Sequence, residues 1–488
     1  MKSERLIFKN TLILGVGKGL GDIATFLFLI YFSRSYGQDA LGQYAFAMAT
    51  GGLLSIFVSL GLNTYTIREI SKDKHCGPEY VGQLFVLRSI CALFGWGLIW
   101  LITLAMASGA ETRQILLIIG AYHFLQKLIG IFSAGFMAHE EMFRPALLSI
   151  VERLIILCAG SAGIYFSFPP AVTLAAYPAS AAIVLVATIT LFRIRYGWPV
   201  FRFNYRFIKT AVRAASPFLV IIILAQFYDR AGLIILTALQ GEAVTGIYSA
   251  GDRLLATING FSAVFATALF PSVSRLSEEK GEDLERLCTW AMRMAFIVFF
   301  PMAVFIFITS DQIILLAFGD EFAASAAMLR IACWTLVLFG FNRILSILMI
   351  AYYKQGQLVR IRMALYIAYF LLSMGLVWQF SYLGLAWAKI IIEIGILLTT
   401  FYCALKLCPA VATIKRFIWP TVICLVPTIS LVLTGYKVWL VIVVFVALFS
   451  VTGFFYSAIQ INDFKLLKEW LAKQLGQDAS DEGSGLTR

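Results

Sequence analysis

Ten of the 39 basic residues stand inside stretches that are otherwise apolar: Lys18, Arg88, Lys127, Arg153, Arg230, Arg253, Arg293, Arg330, Arg343 and Lys389. Five acids join them: Asp22, Glu152, Asp229, Asp252 and Glu393. An ionised group in hydrocarbon costs about 2.5–3.5 kcal/mol on insertion scales, so such groups face a partner or a water-filled cavity. The excess is positive, and positive charge in a cavity suits an anion. A guanidinium is always charged and matches phosphate oxygens in a planar fork.

The fifteen groups differ in what surrounds them. Arg293 and Arg330 fall near helix ends, where a long side chain reaches the interface. Glu152-Arg153, Arg88 and Arg343 suit ion pairs or carbonyl ligation as well as a functional role. Lys389 and Glu393, four apart on one helix, are expected to pair with each other. The informative set is Lys18, Asp22, Asp229, Arg230, Asp252 and Arg253. Asp229-Arg230 and Asp252-Arg253 fall at matching depths on successive helices. One reading is neutral cross-pairing, Asp229 with Arg253 or Arg230 with Asp252. The other is that both arginines and Lys18 line a cavity and hold a phosphate. Asp22, Asp229 and Asp252 are then candidates to exchange a cationic partner for a proton or Na+.

Other chemistry is excluded by spacing. Gly15-Val-Gly17-Lys18-Gly19-Leu-Gly21-Asp22 superficially resembles a phosphate loop. Such a loop needs four residues between its glycines, Ser or Thr after the lysine and a preceding strand. Here Gly19 follows Lys18 in an apolar run, and the Gly15/Gly19 and Gly17/Gly21 spacings suit close helix approach. The eight cysteines form no CxxC and the three histidines are scattered, so neither metal nor cofactor is expected. With no nucleotide motif, transport energy must come from an ion gradient, the membrane potential or the substrate gradient. Neither an acidic metal motif nor a sizeable extramembrane domain is present for a membrane glycosyltransferase, so no enzyme activity is expected.

The elements that carry these residues are read from composition. Of 488 residues, 60% are hydrophobic and 14% charged, against about 45–50% and about 25% in soluble proteins. Apolar runs long enough to cross about 30 Å of hydrocarbon recur along the chain, apolar on all faces and so helical rather than alternating barrel strands. Fourteen helices are expected, at 10–33, 39–62, 80–107, 114–137, 146–167, 171–193, 214–237, 243–270, 287–310, 324–350, 361–381, 383–403, 417–435 and 437–459. The polar tail 461–488 is expected to be disordered.

Cytoplasmic loops carry the excess of Lys and Arg. With the N-terminus inside, every loop and tail cation is cytoplasmic except Arg34, Arg113 and Lys437. Both ends are therefore expected inside. This asymmetry accounts for the basic pI of about 9.3 without nucleic acid. The run Arg193 to Arg213 is expected to rest against anionic lipid headgroups.

That basic run divides the chain. The expected domains are a six-helix bundle (1–193), a cytoplasmic linker (194–213), a second six-helix bundle (214–403), an extra helix pair (404–460) and a tail (461–488). A weak repeat follows the same cut: Tyr36-Gly-Gln-Asp-Ala-Leu-Gly42-Gln-Tyr44-Ala45 resembles Gln240-Gly-Glu-Ala-Val-Thr-Gly246-Ile-Tyr248-Ser249. Repeats of like orientation imply two bundles related by an axis along the membrane normal, enclosing a central cavity and rocking to give alternating access.

These residues carry a family resemblance. Phe32-Ser-Arg-Ser-Tyr-Gly-Gln-Asp-Ala-Leu-Gly-Gln-Tyr-Ala45, continued by Ser59-Leu-Gly-Leu-Asn-Thr-Tyr-Thr-Ile-Arg68-Glu69, resembles the opening of the polysaccharide-export flippases, O-antigen flippases among them. Tyr228-Asp229-Arg230, then Gly246-Ile-Tyr-Ser-Ala-Gly-Asp-Arg253, then Leu269-Phe-Pro271-Ser-Val-Ser-Arg275-Leu are similar to the family's most recognisable region. The resemblance covers roughly the first 350 residues. It implies the fold of the multidrug/oligosaccharidyl-lipid/polysaccharide exporter superfamily: an all-α integral membrane protein of two pseudo-symmetric six-helix bundles, here with a C-terminal pair. It also implies an undecaprenyl-pyrophosphate-linked oligosaccharide as cargo, with Lys18, Arg230 and Arg253 near its pyrophosphate. Membrane lipids and the polysaccharide polymerase and chain-length machinery would be partners, at the inner membrane. A lipid II flippase is the nearest alternative, although the second helix has no basic residue within its span, unlike some of those proteins. A cation-coupled drug antiporter would prefer an acidic or apolar cavity.

Overall fold

The structure is a computed structural model that describes residues 2–105, 109–279, 282–408, 411–412, 423–428, 430 and 438–455, with the side chains of residues 2–16, Lys18, some positions within 215–282, and 439–440 and 450–455 outside the description. Among the described residues there is no strand. Nine of the described helical segments are long and apolar enough to cross a membrane, two of which contain a reversal.

The first reversal divides residues 2–54 into α1 (2–36) and α2 (38–54) at Gly37, whose φ of 80° and ψ of −173° belong to a region open only to glycine. Phe32 and Tyr44 consequently lie with ring centroids 6.2 Å apart, where twelve residues of straight helix would separate them by about 18 Å. Past a break at Ser55, α2 continues as Ile56–Ser59 and Leu62–Lys72. Then follow α3 (Gly77–Ala105), α4 (Ala110–Ala138), α5 (Phe143–Tyr165) and α6 (Pro170–Leu174 with Ala176–Tyr196).

The second half repeats the plan. Asn204 accepts hydrogen bonds from the backbone of Arg206 and Phe207, starting α7 (Tyr205–Gln240) nine residues ahead of the position expected from the basic run. Gly241 (φ 85°, ψ −178°) turns α7 into α8 (Glu242–Glu279), at the repeat position of Gly37 and in nearly the same conformation. After α9 (Glu282–Phe318) and α10 (Ser325–Ala332 with Thr335–Ala351), residues 355–405 reverse at Ser381 (φ 54°) into α11 (355–380) and α12 (382–405). Tyr369 and Leu385 both pack on Gly232, although a straight helix would hold them about 24 Å apart. The expected helix at 417–435 lies largely outside the described residues; the last described helix is Val438–Phe455. The tail 461–488 is also outside them.

The halves meet at the end carrying the glycine turns. A Cβ on Gly42 would collide with the Glu242 carbonyl and sit 2.9 Å from the Gly246 nitrogen; one on Gly246 would collide with the Gln38 carbonyl and sit 3.1 Å from the Gly42 nitrogen. Equivalent residues thus touch each other reciprocally, as at a two-fold interface. Glu242 accepts hydrogen bonds from Thr112 Oγ1 (2.6 Å) and Gln43 Nε2 (2.9 Å), while Glu321 accepts one from the Gln38 backbone (2.9 Å). Arg34 closes the same end by donating to the carbonyls of Leu315, Leu316 and Ala317 on α9.

The opposite end is basic. Lys72 and Arg68 hold the Glu69 carboxyl below the usual glutamate range, the Lys72 hydrogen bond contributing most. Glu141 is likewise lowered: partial burial works upward, but the hydrogen bond from Arg195 and the charge of Arg144 outweigh it.

Candidate functional site

The interior charges divide into those fully committed to structure and those left open. Arg88, completely buried, donates to the carbonyls of Lys127 (2.7 Å) and Ser59 (3.0 Å) and to Asn63 Oδ1 (2.8 Å). The Ser59 carbonyl is available because α2 is broken nearby, where Leu60 and Gly61 have left-handed backbones. Arg88 is therefore a carbonyl ligand that ties α3 to α2 and α4. Arg330 pairs with Asp311, and Glu152 accepts a hydrogen bond from Gln126.

Two expectations about pairing are corrected. Lys389 does not pair with Glu393: its Nζ lies 2.9 Å from Asp252 Oδ1 on α8. Glu393 instead accepts Tyr228 Oη at 2.5 Å and Asn342 Nδ2 at 2.7 Å. Side chains four apart on a helix differ by about 40° in direction, enough for each to meet a different neighbouring helix. Neither cross-pair of α7 with α8 forms, since Asp252 is held by Lys389 and Arg230 Nη1 donates to the Met48 carbonyl of α2 (3.1 Å).

What remains open is the candidate site. Asp229 is exposed although it lies well within α7, and Asp22, Arg253 and Lys389 are partly exposed. Water-accessible charge deep in a bundle marks a polar cavity. Among the described residues neither Arg253 nor Asp229 has an ion-pair partner. Arg253 lies within electrostatic reach of Tyr122 and Tyr177 of the first bundle. Arg230, packed over Gly52, has guanidinium donors beyond the one on Met48. The Lys18 side chain is outside the described residues; its turn of α1 continues into Asp22.

Sequence reasoning named one contributor to this wall, Arg153, but left its role open. Arg153 of α5 packs along Gly21 and donates to Thr25 Oγ1 (3.2 Å), which sets its charge beside Asp22. Its adjacency to Glu152 suggested a local pair, whereas neighbours in a helix point about 100° apart. A groove of about 680 Å³ at the turn end, walled by Asp39, Gly109, Thr237 and Glu242, lies apart from these cations. Among the described residues no group of His, Cys, Asp and Glu side chains is placed to hold a metal.

The chain matches the model of the polysaccharide biosynthesis protein family over residues 7–277. Residues 181–459 match that of the lipid II flippase MurJ. A Shigella dysenteriae protein whose assignment as an O-antigen transporter is itself provisional is 22% identical over 395 residues, covering 76% of this chain and 95% of that one. Among solved structures, the lipid II flippase MurJ in an inward closed conformation superposes with a TM-score of 0.75 at 14% identity, covering 91% of this chain and 99% of that one. A Pyrococcus furiosus superfamily transporter, described by the reverse polarity of its binding pocket, gives 0.58 at 16% identity (85% and 99% covered). A point mutant of the Vibrio cholerae MATE transporter VcmN gives 0.57 at 14% identity (83% and 98% covered). The structural likenesses establish a shared fold. The chain belongs to the polysaccharide biosynthesis protein family, and is a multi-pass membrane transporter of the flippase type within the multidrug/oligosaccharidyl-lipid/polysaccharide exporter superfamily.

Proposed function

We propose that the protein carries an anionic, lipid-linked oligosaccharide of the undecaprenyl-pyrophosphate type across the inner membrane by alternating access. The observation that carries this reading is Arg253, a cation in a water-accessible interior with no anionic partner among the described residues. Arg230 adds free guanidinium donors close by, and Lys18 is expected on the facing turn of α1. The guanidinium and ammonium groups would hold the pyrophosphate while the glycan occupies the aqueous cavity and the prenyl chain stays in lipid. By the positive-inside rule the basic end is cytoplasmic, so loading occurs there with both termini inside. The glycan would be released at the glycine-turn end to a polymerase and its chain-length partner.

Asp22 and Asp229 are the coupling candidates for a proton or Na+. If a phosphate captures Lys18, Asp22 loses the neighbour that could neutralise it, and a cation binds there more readily; such coupling is reciprocal. Asp252, locked to Lys389, serves only in a state that breaks that pair.

A lipid II flippase is favoured as the second reading by the family match over residues 181–459. The discriminating experiment places the gene in cells depleted of their lipid II flippase and, separately, in cells lacking their O-antigen flippase. Restored O-antigen display with no rescue of peptidoglycan synthesis supports the proposal. Rescue of peptidoglycan synthesis alone replaces it with the second reading.

A further inference from the structure

Glu393 has no role in the cavity just described, yet its surroundings are specific. It is 2% exposed, and the residues that grip it, Tyr228 and Asn342, are 5% and 3% exposed. Tyr228 Oη donates to Oε1 and Asn342 Nδ2 to Oε2. Both donors are neutral, and among the described residues no cation lies within ion-pairing distance of Glu393. Asn342 Oδ1 is buried without a hydrogen-bond partner.

Charged groups face this carboxyl from every packed helix, each already engaged or more distant. Asp229 stands next to Tyr228 on α7, and Asp252 of α8 holds Lys389 one turn away on α12. Arg343 follows Asn342 on α10. From α11, Arg362 donates to Ser346 Oγ at 2.8 Å, while Tyr366 stacks on Tyr228 at 4.3 Å and Tyr369 meets its edge at 4.8 Å.

Resting on the transport reading above, we infer that Glu393 is a proton-binding site of the second bundle, seated between Tyr228 and Asn342 and separate from the cavity aspartates. The seat accepts either charge state with a single amide rotation. Ionised, the carboxylate takes both donors as they stand. Neutral, its O–H donates to Asn342 Oδ1 once the amide turns over, a turn that gives up the Asn342 Nδ2 bond to the Glu393 carbonyl at 3.2 Å, and the tyrosine donates in both states. The proton comes from water and returns to it, with no other bond made or broken. A carboxylate whose side-chain hydrogen-bond donors are all neutral, with the nearby cations engaged elsewhere or more distant, gains from taking that proton in an apolar bundle. Tyr228 transmits the change: it directly precedes Asp229 and Arg230, and Arg230 grips the Met48 carbonyl of the first bundle.

The test is infrared difference spectroscopy of the full-length protein in lipid vesicles, titrated from alkaline to acid pH. The expected wild-type result is a protonated-carboxyl C=O stretch that grows on acidification, is missing in Glu393→Gln and is displaced in frequency and midpoint in Tyr228→Phe. A wild-type spectrum without that band, or one that Glu393→Gln reproduces, overturns the inference. Flipping of an undecaprenyl-pyrophosphate-linked disaccharide is followed in the same vesicles. Its absence in wild type condemns the transport reading and leaves the spectroscopic result standing on its own. Where wild type flips, Glu393→Gln should lose the response of the rate to an imposed proton gradient by about tenfold or more, within the ordinary range of coupling free energies.

Discussion

The two halves of the molecule meet in two different ways. At the turn end they touch through main chain, Gly42 against Gly246, each half presenting the same residues to the other. At mid-depth they face each other through charge, and there the halves are unlike. The first bundle's Arg88 and Glu152 are held by partners within that bundle, and the second bundle holds Lys389–Asp252 and the neutral seat of Glu393. The pseudo-two-fold is kept at the seam where the halves touch and lost at the level proposed to recognise the asymmetric cargo.

The sharpest way to break this comparison is to enlarge a seam glycine. Gly42→Val or Gly246→Val places side-chain atoms on a facing carbonyl, where overpacking costs about 1–3 kcal/mol or more. Export should be abolished with normal membrane insertion, and cross-linking of a Gln43→Cys/Glu242→Cys pair should fall in parallel. Full export from either variant would show that the seam need not close.

Arg253→Ala tests the charged side of the contrast and should remove most glycan export while protein levels stay near normal. Arg253→Lys should recover only part, since an ammonium lacks the bidentate fork. Arg230→Ala should be as severe or worse, because it also releases Met48. Export that survives both alanine replacements would make these arginines structural.

A smaller effect is expected from Asp22→Asn, which should weaken gradient-driven flipping in vesicles and leave substrate binding largely intact. A response to imposed proton and Na+ gradients equal to wild type would move the coupling role elsewhere. If Asp22 only neutralises Lys18, replacing both with neutral residues should restore transport.

The smallest change belongs to the basic end. Glu141→Gln removes the partner of Arg144 and Arg195, exposed pairs worth about 0–1 kcal/mol. Because the folded state lowers the Glu141 carboxyl, its contribution is present above the unfolded value and is lost as pH falls through the folded one. A thermal-shift comparison should show a slight wild-type advantage at neutral pH that vanishes in acid.

What the chain disclosed beforehand follows the same division. The helices, the two halves and the repeat were legible because hydrocarbon demands long apolar runs and because Gly37 and Gly241 hold a backbone only glycine adopts. The partners of charges were not legible. Lys389 and Glu393 share a spacing that permits a local pair, but the choice was made by Asp252, Tyr228 and Asn342, each more than fifty residues away or on another helix. Arg153 was obscured by its neighbour Glu152, and only the packing of α5 on α1 at Gly21 turns it toward Asp22.

The glycine seam also behaves as a fulcrum. From Gly246 to the far end of α8 at Glu279 the helix runs for about 50 Å at 1.5 Å per residue, while Arg253 lies only about 10 Å along it. A rocking of about 10° about the seam would therefore carry the basic mouth through about 9 Å and the arginine through less than about 2 Å. Such a lever arm would open a doorway wide enough for a sugar while barely disturbing the arginine proposed to hold the phosphate.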